Sequence, residues 1–209
     1  MEITWHSQTC FKLSERGMAT VLTDPALDSE NGKMTADILV FSQKPADELK
    51  LKAQFKDSFL ITGPGEYEVG NVFITGLAET SLEPTMDKRT IYVFNFDGIK
   101  VAFLGGTNRV PSQSEVEELG DVHILLIPIS GENRLNAVQA AEVVNLISAN
   151  IVIPIACSAD SPSTIQTALG KFFKEMGVAV SEAQPSFKIG SVRNLPEVTQ
   201  IIVLEETGF

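Results

Sequence analysis

Ala36-Asp37-Ile38-Leu39-Val40-Phe41-Ser42-Gln43-Lys44-Pro45-Ala46-Asp47-Glu48 decides the architecture: a short apolar strand signal runs straight into a polar, proline-bearing loop. Ala36 to Phe41 reads as the strand, and Asp47 stands where its carboxylate can cap a short helix. Further strand signals flank it at Glu2 to Trp5, Thr9 to Leu13, Ala19 to Thr23, Ser58 to Thr62, Asn71 to Leu77 and Thr90 to Phe96. Gly63-Pro64-Gly65 and Asp97-Gly98 are turn signals, and the second predicts a hairpin joining Ile91–Phe96 to Lys100–Leu104. The first hundred residues are expected to be mostly antiparallel sheet.

Beyond residue 110, strands alternate with helices. Ser112 with Glu115 fits a capping box, Gly120 a helix stop, and His123 to Ile129 the next strand. Asn136 can cap a largely buried helix in which only Gln139, Glu142 and Asn145 interrupt an apolar run. Asn150 to Ile155 reads as a strand, and Ser161-Pro162 opens a helix that closes at Gly177, with Ile165, Ala168, Leu169, Phe172, Phe173 and Met176 on one face. Two last strands are expected near Ser186–Ile189 and Thr199–Leu204. Such an order suits an α/β (α+β) chain of two face-to-face sheets with helices outside.

With 209 residues, 44% hydrophobic and 21% charged, residues 1–209 are expected to form one soluble domain. The longest apolar stretches fall far short of the roughly 18 to 20 residues of a membrane span, and Met1 to Trp5 does not resemble an export signal. A cytoplasmic protein with no membrane contact is expected. A net charge of −11 argues against a nucleic-acid partner, because phosphate neutralisation requires clustered Lys and Arg. Cys10 and Cys157 form no metal-binding pattern and read as reduced thiols packed in the interior.

Local strings add specificity. Ile3-Thr4-Trp5, Leu22-Thr23-Asp24-Pro25, the strand of residues 36–42, Gly63-Pro64-Gly65-Glu66-Tyr67-Glu68-Val69, Leu104-Gly105, Glu118-Leu119-Gly120-Asp121-Val122, Leu125-Leu126-Ile127-Pro128 and Ile151-Val152-Ile153-Pro154 occur in this order. Together they resemble the metallo-β-lactamase superfamily, specifically its Zn-dependent hydrolase branch that includes ascorbate-phosphate lactonases. The resemblance spans residues 2 to about 157. It implies a metallo-β-lactamase-like αββα four-layer sandwich with a metal pocket at one edge of the sheets. In active members, imidazoles and a carboxylate hold one or two zinc ions, and the metal acidifies a bound water until it is a nucleophile near neutrality.

The resemblance also shows what is missing. Where the family carries [T/S]-H-x-H-x-D-H, this chain has Ser42 to Glu48, so Gln43, Pro45 and Glu48 replace histidines and Asp47 alone survives. Gln8 stands for a histidine of the first hairpin, Gly106 for the bridging aspartate, and Ala156 for the last histidine; near Ser81 no histidine is present. Gln is a weak neutral donor, Gly and Ala supply no side-chain ligand, and Arg109 would repel a cation. The expectation is therefore no catalytic residue, no metal ligand and no cofactor, zinc belonging only to active relatives. The scaffold would serve binding, assembly or regulation, with homo-oligomerisation as one form of it.

Two alternatives stand beside this. Asp24, Asp47, Glu48 and Glu66 could assemble an oxygen-rich Mg²⁺ or Mn²⁺ site for hydrolysis of an ester or phosphoester. Lys44 and Arg109 could instead bring positive charge to the emptied pocket and bind a small anionic ligand, unless Arg109 pairs with Asp47 or Glu48. His6 and His123 are expected in ordinary structural roles, since two histidines without a further ligand seldom make a zinc site.

Overall fold

The structure, a computed structural model, describes residues 1–26, 34–79, 89–131, 133–156 and 162–207. The elements of the N-terminal part are β1 (Glu2–Ser7), β2 (Cys10–Ser14), β3 (Val21–Thr23), β4 (Ile38–Val40), α1 (Glu48–Gln54), β5 (Phe59–Ile61), β6 (Gly65–Val69) and β7 (Val72–Ala78). They are followed by β8 (Thr90–Phe96), β9 (Ile99–Phe103), α2 (Gln113–Leu119), β10 (Ile124–Pro128), α3 (Ala137–Ile147), β11 (Ile151–Ile155), α4 (Pro162–Glu175), β12 (Phe187–Lys188) and β13 (Gln200–Ile201).

One sheet has the order β12-β1-β2-β3-β4-β5 and the other β13-β11-β10-β9-β8-β7-β6. Ile3, Phe11, Val21, Ile38 and Val40 of the first pack with Tyr92, Phe94, Val101, Leu126 and Ile153 of the second in one buried cluster, so the sheets face each other. The outer face of the first sheet places Cys10, Leu22, Leu39 and Phe41 against Leu51 and Phe55 of α1 and its C-cap. The outer face of the second carries Leu119, Ala140, Val143, Val144, Phe172 and Phe173 from α2, α3 and α4. The result is the expected four-layer α/β sandwich. Among the described residues no helix is long and apolar enough to cross a membrane.

Local chemistry fixes the helix starts. Ser112 with Glu115, and Asn136 with Gln139, form reciprocal capping boxes on α2 and α3. Asp47 accepts from Lys50 N and caps α1. The apolar stripe of α4 packs as its spacing predicts. Ser161 lies outside the described residues. Asp97 and Gly98 both have positive φ, +48° and +89°, which gives the β8–β9 hairpin the turn that its strand twist favours.

The first half is mostly antiparallel, as expected: β1–β2, β2–β3, β6–β7, β7–β8 and β8–β9 pair in that way, while β3–β4 and β4–β5 pair parallel. α1 supplies the crossover from β4 to β5, and strands joined by a helical crossover return in the same direction. Gly65–Val69, outside the strands expected from the sequence, is an edge strand paired antiparallel to β7. Its Glu66 and Glu68 are exposed, and this charged, glycine-bordered pattern suits an edge while giving a weak strand signal.

Candidate functional site

β3 and β4 run parallel, as do β9, β10 and β11, so their C-terminal ends deliver Asp24, Ser42-Gln43, Gly105-Gly106, the loop through Arg134, and Ala156. The two groups of strand ends meet. A Cβ placed on Gly106 would lie 3.0 Å from Ser42 Oγ and 3.4 Å from Gln43 Cγ, and Thr90 N donates to Ser42 O at 2.9 Å. Ligand sites of α/β sheets gather outside such carboxyl ends.

Asp24 anchors this rim. Its backbone is left-handed, φ +40°, and its N–H donates to Val40 O at 2.8 Å. One carboxylate oxygen accepts from Ser42 N at 2.7 Å and the other from Ser42 Oγ at 2.6 Å. Burial pushes its carboxyl above the usual range, while the bonds from Ser42 and Thr9 and the charge of Arg134 pull the other way.

Two guanidinium groups reach the glycine pair: Arg134 Nη1 donates to Gly105 O and Arg89 Nη1 to Gly106 O. Arg89 also donates to Asn133 O at 3.0 Å. Gly105 must be glycine, because an added Cβ would fall 2.2 Å from the Phe103 ring. Sequence reasoning missed Arg89 and Arg134 since it compared only positions where the resemblance expects ligands. The signal available was an arginine immediately before β8 and another in the loop after β10.

Arg109 is committed to structure. Its Nη1 and Nη2 donate to the two oxygens of Glu115 at 2.9 and 2.5 Å, and its Nε is 3.7 Å from Glu79 Oε1. Glu115 meanwhile accepts from Ser112 N at 2.7 Å, so one carboxylate both caps α2 and neutralises the arginine. Arg109 therefore pairs with Glu115 and Glu79, not with Asp47 or Glu48. Glu79 is buried; burial raises its carboxyl, with Arg109, Arg89 and a bond from Thr107 opposing.

Other sequence-selected residues scatter. Gln8, at φ +44° in the β1–β2 turn, is exposed, as are Gln43, Lys44 and Glu66. Pro45, Asp47 and Glu48 are half-buried, and Asp47 is committed to α1 and to Lys50, 3.4 Å away. Ala156 is buried beneath the rim. Among the described residues no group of three His, Cys, Asp or Glu side chains is placed to hold an ion, so Asp24, Asp47, Glu48 and Glu66 do not form the anticipated cluster. His123 sits just before β10 and accepts from Lys100 N through Nδ1 at 3.0 Å, whereas His6 lies by Thr207, 3.1 Å from its hydroxyl. Cys10 is buried, and burial pushes its thiol up, which suits packing and not nucleophilic attack. Cys157 and Ser81 lie outside the described residues.

The family model of the β-lactamase superfamily domain matches residues 2–156. The chain belongs to that family. It is 27% identical over 177 residues to a UPF0173 protein of Pyrococcus abyssi, covering 74% of this chain and 82% of that one. Among solved structures it is similar to a candidate Zn-dependent hydrolase of the metallo-β-lactamase superfamily from Thermotoga maritima. That match has a TM-score of 0.78, 26% identity and 97% coverage of each chain. Igni18, a metallo hydrolase of Ignicoccus hospitalis, shares the fold at TM-score 0.65 and 16% identity, over 90% of this chain and 99% of that one.

Zinc is the metal that the metallo-β-lactamase resemblance implies, and the donors at this rim do not fit it. Asp24 has both oxygens engaged by Ser42, and Asp47 is turned to its helix. Gln43 is exposed, and Ser42 and Gln43 crowd the space a side chain at 106 would need. Positive guanidinium groups hold the adjoining carbonyls. Zinc sites are built from thiolate, imidazole and carboxylate donors left free for the ion.

Proposed function

We propose that this β-lactamase superfamily protein is a metal-free, non-catalytic member whose scaffold serves binding, assembly or regulation. The observation that carries this reading is the donor set at the rim: among the described residues no group of three His, Cys, Asp or Glu side chains is placed to hold an ion, and Asp24 is tied through both oxygens to Ser42. The absence of imidazoles at Gln8, Gln43, Pro45, Glu48 and Ala156 supports it from the sequence side. Fold preservation by itself does not carry activity.

A second reading, hydrolysis of an ester or phosphoester, draws on the Thermotoga maritima neighbour. Protein purified without chelators separates the two when its metal content is measured and phosphodiesterase and lactonase activities are screened. Less than stoichiometric metal and no turnover are expected. Stoichiometric zinc with turnover abolished by chelation would reject the proposal in favour of the hydrolase.

A further inference from the structure

The end of the sandwich opposite the rim holds a cavity of about 590 Å³, within the roughly 300–1,000 Å³ usual for small-molecule sites. It opens where strand turns converge: Glu15 to Met18 lead from β2 towards β3, Asn71 follows β6, and Asn95 to Ile99 carry β8 into β9. Phe96 and Ile99 belong to the core between the sheets and line the cavity from that side.

Several of these polar groups already have work in the turns. Asn71 Nδ2 donates to Gly17 O at 3.3 Å, and Gly98 N donates to Asn95 Oδ1 at 2.9 Å. Glu15 pairs with the amine of Met1 and accepts from Arg16 N at 2.8 Å. Three lining side chains have no such task. Neither the Arg16 guanidinium nor the Asp97 carboxylate makes a hydrogen bond or ion pair with the described residues, and both are exposed. Phe73 is 53% exposed and belongs to none of the core clusters. Scattered singly, each would be ordinary surface; here they border one cavity with an apolar inner side.

Their charges select the ligand. One unpaired cation and one unpaired anion leave the mouth balanced, so a phosphate or dicarboxylate would meet Asp97 as a like charge, and a diamine would meet Arg16 in the same way. A zwitterion satisfies both, and an aromatic body gives Phe73 a partner. We propose that this cavity binds a free α-amino acid with an aromatic side chain, its carboxylate on Arg16, its ammonium on Asp97 and its ring against Phe73. The site lies at the far end of the sheets from Asp24 and Ser42, and whether the rim holds a metal does not bear on it.

Calorimetric titration of the full chain with L-phenylalanine tests the proposal, with 3-phenylpropionate and phenethylamine, each keeping one of the two charges, in parallel arms. Saturable one-to-one binding of the amino acid is expected, with both single-charge probes about tenfold weaker or more. Arg16→Gln, Asp97→Asn and Phe73→Ala should each weaken L-phenylalanine by a similar factor. Asparagine tolerates the φ of +48° at position 97, so the turn survives the change. Lys52→Gln, on α1, should bind as the parent does. Absence of saturable binding, a single-charge probe that binds as tightly as the amino acid, or unchanged affinity in any one of the three site variants overturns the proposal.

Discussion

Asp24 and Ser42 are joined twice, by a 2.7 Å bond from the Ser42 backbone N–H and a 2.6 Å bond from its hydroxyl. Asp24 follows β3 and Ser42 follows β4, so the pair clamps the two parallel strand ends on which the rim is built. Ser42→Ala removes the hydroxyl bond and leaves the backbone bond, and should cost about 1.5 kcal/mol. Urea unfolding measures this; an unchanged midpoint would show that water serves the carboxylate equally well.

Arg109→Ala removes the guanidinium paired with Glu115 and lying beside Glu79, both buried. Breaking one side of such a pair costs about 3–5 kcal/mol, far more than a surface bridge contributes. Arg109→Lys should recover only part of the loss because the paired bonds to Glu115 need the guanidinium fork. Equal unfolding midpoints for the parent and Arg109→Ala would show that the network is dispensable.

Gly105→Ala drives a methyl group into the Phe103 ring, whose nearest carbon would be 2.2 Å away. Phe103 is fully buried, so the ring has little room to yield, and overpacking should cost about 1–3 kcal/mol. Gly63→Ala, with open space around its Cβ, should be far milder. A calorimetric comparison of the two variants in which they melt alike would refute the crowding argument.

His123 accepts the Lys100 N–H through Nδ1, and burial, with Lys100 adding to it, lowers its basicity against a weaker opposing effect of Asp121. The unfolded chain therefore takes up this proton first as pH falls. Stability should be fully present above the ordinary histidine range near 6.5 and decline as pH drops below it. His123→Gln should flatten that part of the stability–pH curve; a variant retaining the whole slope would assign it to other groups.

The layers were legible because apolar periodicity and capping residues act locally: Asp47, Ser112–Glu115 and Asn136 start helices where the sequence places them. Strand direction around β3, β4 and β5 was not, since it depends on where a crossover returns. The positions where the resemblance expects ligands could be read residue by residue, and Gly106 does meet Ser42 and Gln43 at the rim. What replaces them could not. Arg109 was chosen for its closeness to the motif in sequence, yet Glu115 claims it, while Arg89 and Arg134 arrive from distant loops through bonds to backbone carbonyls that no side-chain pattern encodes.

Zinc titration of the intact chain by calorimetry at neutral pH tests the central claim most directly. The account predicts no saturable binding tighter than about micromolar, because imidazole donors are missing and Asp24 is already engaged. A one-to-one isotherm of that affinity or better, lost on Asp24→Ala, would contradict it.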